Sequence, residues 1–317
     1  MQETLLKKSS SKLALPTFLL IGAGKSGTTS LFQYLKQHPE VFMSEVKEPN
    51  FFELMGQKPV KKEDDSDQMH HYPWAVYEWD AYQDLFSKAG TVKARGEAST
   101  MYMYGKEAPY NIKKHLPQVK LIAILRDPVK RLYSRFLHLA RENRLPSSGF
   151  ADALDRQSIW WERNDLIREG FYYQHLSRYF ELFSSTQIKI FLNEDLRENS
   201  NQVIQDIYTF IGVDPSFQPR TDIRFNESGF IKNAWKDKLI GQNSLIRKGV
   251  EWLSPALVKQ MRNNARLQKL VTRLRKKNLS RPDLDPKLRQ ALIQDVYQAD
   301  IEALQGLIGR DLSAWLE

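Results

Sequence analysis

The residues from Gly22 to Thr29 have the types and spacing that bind a phosphate. One lysine, Lys25, stands between glycines, and hydroxyl residues follow it. At a helix N-terminus, the backbone N–H groups of such a turn cradle an anion, and the lysine adds positive charge. The Walker A pattern, GxxxxGKS/T, would need a glycine where Leu19 stands, so the mismatch points to another nucleotide. The predicted phosphate ligands are Gly24, Lys25, Ser26, Gly27, Thr28 and Thr29.

Arg126 and Ser134 form a second candidate anion site. Arg126 follows a strongly apolar strand, and Ser134 lies on the helix after it. Ligands of open parallel sheets bind beyond the carboxyl ends of the strands, so this guanidinium can face the same crevice as the glycine loop. A guanidinium and a hydroxyl held in this way suit a second phosphate. The alternative is a surface pair of Arg126 with Asp127 and an ordinary helix serine.

Glu48 is the candidate general base, within the run from Lys47 to Phe52. Pro49 favours an extended backbone at Glu48. The aromatic residues after it can exclude water, and apolar surroundings make a carboxylate a better base near neutral pH, although Lys47 opposes this effect. The alternative is an exposed loop glutamate.

These residues need regular elements to hold them, and the apolar pattern predicts alternating strands and helices. The predicted strands are Thr17–Gly22, Thr91–Gly96, Val119–Leu125 and Gln187–Leu192. The predicted helices are Thr28–Gln37, Gly105–Leu116, Pro128–Ala140, Phe171–Phe183, Leu196–Ile211 and Pro286–Leu307. This alternation predicts an α/β fold of three layers, a parallel sheet flanked by helices. We expect a mobile N-terminal tail over residues 1–14 and one domain over residues 15–317.

Composition narrows the class of protein. A chain of 317 residues that is 41% hydrophobic can bury a full core. It has no cysteine, which excludes disulfides and thiolate metal sites. The apolar run from Leu13 to Ile21 is interrupted by Pro16 and is shorter than the roughly 20 residues that span a bilayer. We therefore expect a cytoplasmic protein without a transmembrane segment.

The formal net charge of +9 is concentrated late in the chain. No acidic residue lies between Glu251 and Asp283, and the segment from Lys259 to Arg281 is strongly basic. It is either the solvated face of an amphipathic helix or an electropositive rim that attracts an anionic ligand. No aromatic residue lies between Trp252 and Asp283 to stack on a base, so we expect no nucleic-acid partner.

The glycine loop, the run from Lys47 to Phe52 and the segment from Arg126 to Ser134 follow one another along the chain. Taken together and in that order, they resemble the motifs of sulfotransferases that use 3′-phosphoadenosine 5′-phosphosulfate (PAPS). The similarity is greatest to a bacterial branch related to heparan sulfate sulfotransferases. Their 5′-phosphosulfate loop resembles Gly22–Leu31, their Lys-Glu-x-x-Phe-Phe element matches Lys47–Phe52, and their 3′-phosphate motif resembles Ile124–Pro128 continuing to Ser134. Gly96–Ala98 and Leu307–Leu312 are also similar to that branch.

The resemblance implies a P-loop-containing nucleotide hydrolase-like sulfotransferase fold and sulfuryl transfer from PAPS to an acceptor hydroxyl, on a carbohydrate, without a metal. It implies that Glu48 is the base and that Lys25 stabilises charge as adenosine 3′,5′-bisphosphate (PAP) leaves. It also assigns the 3′-phosphate to Arg126 and Ser134. Late in the chain we expect two more nucleotide contacts, with Lys277 or Arg281 reaching the 3′-phosphate and Phe230 stacking on adenine, unless Phe230 is a core residue.

The chain departs from the heparan sulfate enzymes at two places. Ala98 stands where those enzymes have a lysine, and the late cysteine pair and Lys-Gly-Arg loop are missing. A heparan-type acceptor is therefore not implied. The alternative functions are a P-loop kinase or triphosphatase, sulfation of a non-carbohydrate alcohol, and a non-catalytic nucleotide or polyanion binding module.

Overall fold

Five parallel strands form the centre of the molecule. The computed structural model describes residues 15–57, 73–142, 144–145, 149–221, 230–231, 279–280 and 282–317. The predicted tail, residues 1–14, lies outside them. The strands are β1 (Phe18–Gly22), β2 (Val41–Met43), β3 (Ala94–Ala98), β4 (Lys120–Leu125) and β5 (Ile188–Leu192). Their order across the sheet is β2-β3-β1-β4-β5, and each neighbouring pair is parallel.

Helices connect the strands and cover the sheet. The described helices are α1 (Thr28–Leu35), α2 (Phe51–Leu54), α3 (Trp79–Asp84), α4 (Met101–Tyr104), α5 (Ala108–His115), α6 (Pro128–Arg141), α7 (Ile159–Glu162), α8 (Tyr172–Leu182), α9 (Asn193–Glu198), α10 (Ser200–Ile211), α11 (Pro286–Leu292), α12 (Gln298–Ile308) and α13 (Ser313–Leu316). A short antiparallel pair, β6 (Phe230–Ile231) with β7 (Leu279–Ser280), lies apart from the main sheet.

The central strand β1 is buried on both faces, as its unbroken apolar sequence predicts. Leu19 and Ile21 belong to one hydrophobic core, whereas Phe18 and Leu20 belong to another on the opposite face. Strand β4 divides its residues between the same two cores. The alternation of side chains along a strand thus produces three layers. The predicted α/β class and parallel sheet are confirmed.

Asp127 starts helix α6, which carries part of the site. Its carboxylate accepts the backbone N–H groups of Val129 and Lys130, each at 2.9 Å, and Pro128 occupies the first turn. Asp127 is fully buried, and its other oxygen accepts Arg289 Nη2 at 2.9 Å. The alternative prediction of an Arg126–Asp127 surface pair is therefore wrong.

One strand of the structure was not predicted, and two predicted helices are interrupted. The three-residue strand β2 was not predicted, since so short a segment shows no period of its own. The predicted helix Leu196–Ile211 is interrupted at Asn199, whose side chain accepts the N–H of Gln202 and starts α10. The predicted helix Pro286–Leu307 contains a π-helical segment, Ile293–Tyr297, between α11 and α12.

Over the part of the chain that the structure describes, we find no helix that is both long and apolar enough to cross a membrane.

Candidate functional site

One cleft of about 870 Å³ lies at the carboxyl ends of the central strands. It brings together most of the site residues predicted from the sequence, although they come from separate parts of the chain. The predicted residues that line it are Gly24, Lys25, Gly27, Thr28, Thr29, Glu48, Arg126 and Ser134. The structure therefore places the glycine loop, a guanidinium and a carboxylate around one space.

The glycine loop joins β1 directly to α1. Lys25 and Gly27 have φ values of 65° and 110°, in the left-handed region. Glycine tolerates this backbone freely, whereas at Lys25 it costs free energy. Ser26 is fully buried, and its carbonyl accepts Asn193 Nδ2 at 2.7 Å. Asn193 thus holds the buried side of the loop, whereas Gly24, Lys25 and residues 27–29 line the cleft.

Lys25 keeps part of its surface in the cleft, but the protein removes most water from its ammonium group. Burial, followed by the positive charge of Arg135, lowers the pKa of Lys25 to about 7. A nearby anion would favour the charged form again. The net effect of the surroundings in the cleft is therefore to favour the neutral form of Lys25 relative to a lysine in water.

Glu169 supports the loop and was not predicted from the sequence. Its Oε1 accepts the Gly24 N–H at 2.6 Å, and its Oε2 accepts Arg131 Nη1 at 2.9 Å. Both side chains of this ion pair are buried. No local pattern marks Glu169, because it lies in a 3₁₀ turn, Arg168–Gly170, far along the chain from the loop.

Arg126 links the second anion site to the loop. Its Nη1 donates to the carbonyl of Lys25 at 3.2 Å, and the hydroxyl of Tyr172 donates to the carbonyl of Arg126 at 2.9 Å. Ser134 lies one and a half turns into α6 and also faces the cleft. Arg126 and Ser134 therefore line the same cleft.

Glu48 lies on the opposite part of the cleft. Lys47 Nζ donates to Glu48 Oε1 at 2.5 Å, and each side chain is 24% exposed. The backbone of Glu48 has a φ of 61°, so the expected extended conformation is wrong. Its N–H instead donates to the carbonyl of Ala98 at 2.8 Å, and this bond ties the turn to the end of β3.

Several other side chains that the sequence did not single out also line the cleft. Trp74 and Tyr104 supply aromatic surface, Arg135 and His138 project from α6, and Glu142 follows the end of that helix. Burial, then the charge of Lys25, holds the pKa of His138 far below its usual range, so this imidazole is neutral. Its Nε2 lies 3.3 Å from Glu142 Oε1.

Of the nucleotide-binding residues predicted late in the chain, the structure describes only the backbone of Phe230. Lys277 and Arg281 lie outside the described residues, as does almost all of the basic segment from Lys259 to Arg281. Phe230 lies in β6, where it pairs with Ser280 of β7, but its side chain is outside the description. Their predicted roles stay predictions. In the described ranges, no group of three or more histidine or acidic residues could hold a metal ion.

Comparisons with known proteins identify the family and the fold of the chain. A family model for the sulfotransferase domain matches residues 15–251. The chain is 28% identical over 245 residues to bifunctional heparan sulfate N-deacetylase/N-sulfotransferase 4 of Mus musculus. The alignment covers 72% of this chain and 26% of that protein. It is 25% identical over 247 residues to the Drosophila melanogaster bifunctional heparan sulfate N-deacetylase/N-sulfotransferase. That alignment covers 71% of this chain and 22% of the fly protein. The chain thus spans about a quarter of the length of these relatives.

A solved structure matches almost the whole length of the chain. The crystal structure of a sulfotransferase from Alicyclobacillus acidocaldarius superimposes with a TM-score of 0.69 at 25% identity, covering 96% of this chain and 100% of that one. The parallel sheet, its flanking helices and the glycine loop therefore form the P-loop-like fold found in sulfotransferases.

Proposed function

The chain belongs to the sulfotransferase domain family, and from this premise we propose that it transfers a sulfuryl group from PAPS to an acceptor hydroxyl, releasing PAP. The observation that carries the proposal is the single cleft lined by Lys25, Arg126, Ser134 and Glu48. In this proposal its residues form two anion sites and a base, which are the groups that this reaction requires.

The donor would occupy both anion sites. Residues 24–29 would hold its 5′-phosphosulfate, and Arg126 with Ser134 would hold its 3′-phosphate. Recognition of the 3′-phosphate discriminates against ATP, which lacks that group, because a site built to pair an anion loses this interaction with ATP. The absence of the Walker A glycine at Leu19 also argues against a P-loop kinase or triphosphatase.

The transfer is an in-line displacement at sulfur. The acceptor oxygen forms a bond to sulfur while the bond from sulfur to the bridging oxygen of the 5′-phosphate breaks. Glu48 takes the acceptor proton, and Lys25 with the loop N–H groups stabilises the negative charge that develops on the leaving oxygen. As in phosphoryl transfer, positioning and charge stabilisation supply most of the rate enhancement.

We propose that the acceptor is a carbohydrate. Trp74 is 48% exposed and lines the cleft together with Glu48 and Tyr104. An aromatic face with a polar rim suits a sugar ring, which has apolar faces and hydroxyl edges. The two relatives above are named for heparan sulfate, which is a carbohydrate. A screen with radiolabelled donor, covering sugars and non-sugar alcohols in parallel, tests this choice.

Calorimetry with PAP and with ATP plus Mg²⁺ separates the proposal from the kinase alternative. We expect PAP to bind more tightly, because only PAP supplies anions to both sites. Tighter binding of ATP would contradict the proposal.

The substitution Glu48→Gln tests the role of the base. It keeps the size of the side chain but removes its ability to accept a proton, so we expect kcat to fall about 100- to 10,000-fold. PAP affinity, measured by calorimetry, should stay unchanged. Glu45→Gln is the matched control, because Glu45 is an exposed carboxylate nearby that pairs with Lys88. A Glu48→Gln variant that loses PAP binding would show that Glu48 is structural.

A further inference from the structure

A second carboxyl group, Glu97, lies fully buried behind the candidate base at the end of β3. Three hydroxyl groups surround it. Ser99 Oγ donates to its Oε2 at 2.8 Å, and the hydroxyl of Tyr82 donates to its Oε1 at 3.3 Å. The hydroxyl of Tyr102 also hydrogen-bonds this carboxyl. No described lysine or arginine forms an ion pair with Glu97, so these hydroxyls supply its stabilisation.

Each of the same three side chains holds one residue of the turn that follows Glu48. Ser99 Oγ accepts the N–H of Asn50 at 3.0 Å. The ring of Tyr82 stacks on Phe51 with centroids 4.4 Å apart and planes inclined by 14°.

The hydroxyl of Tyr102 accepts the N–H of Phe52 at 3.3 Å. The carboxyl of Glu97 is therefore the common point of attachment for three successive residues of the turn.

The turn needs this attachment because its backbone is strained. Glu48 and Asn50 have φ values of 61° and 54°, which non-glycine residues seldom adopt. Each such residue costs of order 1 kcal/mol and persists only where its surroundings enforce it. The bond from Glu48 N–H to the Ala98 carbonyl fixes the start of the turn, and the hydroxyls around Glu97 fix the rest.

The negative charge of Glu48 also acts on the buried carboxyl group of Glu97. Burial raises the pKa of Glu97 to about 7, the hydroxyl groups oppose this shift, and the negative charge of Glu48 adds to it.

We propose that Glu97 is a positioning residue, which acts through Ser99, Tyr82 and Tyr102 to hold Glu48 where it can take the acceptor proton. This inference rests on the proposed function. Glu97 does not contact the cleft, and its effect on the reaction passes through the turn. A small displacement of the base is enough to slow the reaction, because a misplacement of about 1 Å can lower the rate about 100-fold.

The test compares Glu97→Gln and Ser99→Ala with the wild-type full-length chain. Glu97→Gln puts an amide NH₂ among hydroxyls that donate to the carboxylate, and Ser99→Ala removes the link to Asn50. We expect each to lower kcat about 10- to 100-fold, with the Kd of PAP and the KM for PAPS unchanged. Ser99→Thr, which keeps the hydroxyl, should restore kcat.

Glu53→Gln is the matched control. Glu53 lies in the same segment, and its carboxylate accepts the backbone N–H groups of Lys106, Glu107 and Ala108 rather than holding the Glu48 turn. We expect this variant to lower the thermal midpoint while keeping the wild-type kcat.

Two outcomes would overturn the inference. One is a wild-type kcat in both Glu97→Gln and Ser99→Ala. The other is a loss of PAP affinity in parallel with kcat, which would indicate general structural damage. If Glu97→Gln does not fold, the comparison of Ser99→Ala with Ser99→Thr decides. A wild-type chain that neither binds PAP nor transfers a sulfuryl group would instead refute the proposed function, and the inference with it.

Discussion

Lys25 is the residue whose chemistry depends most on what fills the cleft. In the proposed reaction it must be positively charged, yet burial and the nearby Arg135 lower its pKa to about 7. An anionic donor beside the ammonium would reverse that shift by favouring the charged form. Donor binding and protonation of Lys25 should therefore be linked.

This linkage predicts that PAP binding weakens as the pH rises above about 7. Below that pH, Lys25 is already charged and binding takes up no proton. Above it, binding must protonate Lys25, which costs up to about 1.4 kcal/mol per pH unit. Calorimetry in buffers of different ionisation enthalpy measures the proton uptake. Lys25→Met should abolish it, and a wild-type affinity that does not change between neutral and alkaline pH would contradict the prediction.

Arg126 should decide the preference for a 3′-phosphate. Removing a charged hydrogen-bond donor costs about 1.5–3 kcal/mol, or about 10- to 100-fold in affinity. We therefore expect Arg126→Ala to reduce the affinity ratio of PAP to AMP by this factor, as measured by calorimetry. Lys88→Ala removes the same charge from an exposed pair with Glu45 and should leave the ratio unchanged. A ratio retained in Arg126→Ala would place the 3′-phosphate elsewhere.

At the scale of elements, the site depends on how helix α6 and the turn containing Glu169 support the glycine loop. Arg131 on α6 pairs with Glu169, and Glu169 accepts the N–H of Gly24. Arg131 Nη2 also donates to the carbonyl of Leu166. One buried ion pair thus joins a helix, a turn and the loop, so its loss should affect both folding and donor binding.

We expect Arg131→Met to lower the free energy of unfolding by about 3–5 kcal/mol, because it leaves Glu169 buried without its partner. Adding Glu169→Gln should recover part of this loss by removing the unpaired charge. Urea denaturation measures both changes. Removing the exposed Lys88–Glu45 pair is the control and should cost at most about 1 kcal/mol. An Arg131→Met variant as stable as the wild type would show that the pair does not support the loop.

At the scale of the whole molecule, the cleft where the proposed donor binds carries an excess of positive charge. The chain has a formal net charge of +9. Seven lysine or arginine residues and five acidic residues are among those described along the cleft. A cleft with excess positive charge concentrates field lines and attracts an anionic ligand from a distance.

This charge distribution predicts that kcat/KM for PAPS falls about tenfold or more as the salt concentration rises. Between about 0.1 M and 1 M salt, the Debye length shrinks from about 10 Å to about 3 Å, and the attraction is screened. Initial rates over a salt series measure the effect, and kcat at saturating PAPS should change less. Sucrose solutions of matched viscosity are the control. A kcat/KM independent of salt would exclude electrostatic attraction of the donor.

Local patterns were enough to predict the parts of the site that lie in continuous segments. The glycine loop, the strand before it and Arg126 after the next buried strand all depend on neighbouring residues. The carboxyl ends of parallel strands meet at one edge of a sheet, so the sequence also predicted that these parts share a cleft. The residues at which helices begin and end were less predictable, since Asn199 starts a new helix inside a continuous apolar pattern.

The sequence by itself determined the α/β fold, the order of the motifs and the residues that could meet phosphate, because periodicity and glycine spacing express local backbone preferences. Only the tertiary structure decided what supports them. Glu169 accepts a hydrogen bond from Gly24, which lies 145 positions away in the sequence. Glu97 accepts hydrogen bonds from hydroxyl groups whose side chains also hold the turn after Glu48. These contacts join residues far apart in the chain, and no local preference specifies which buried carboxyl group will meet which donor.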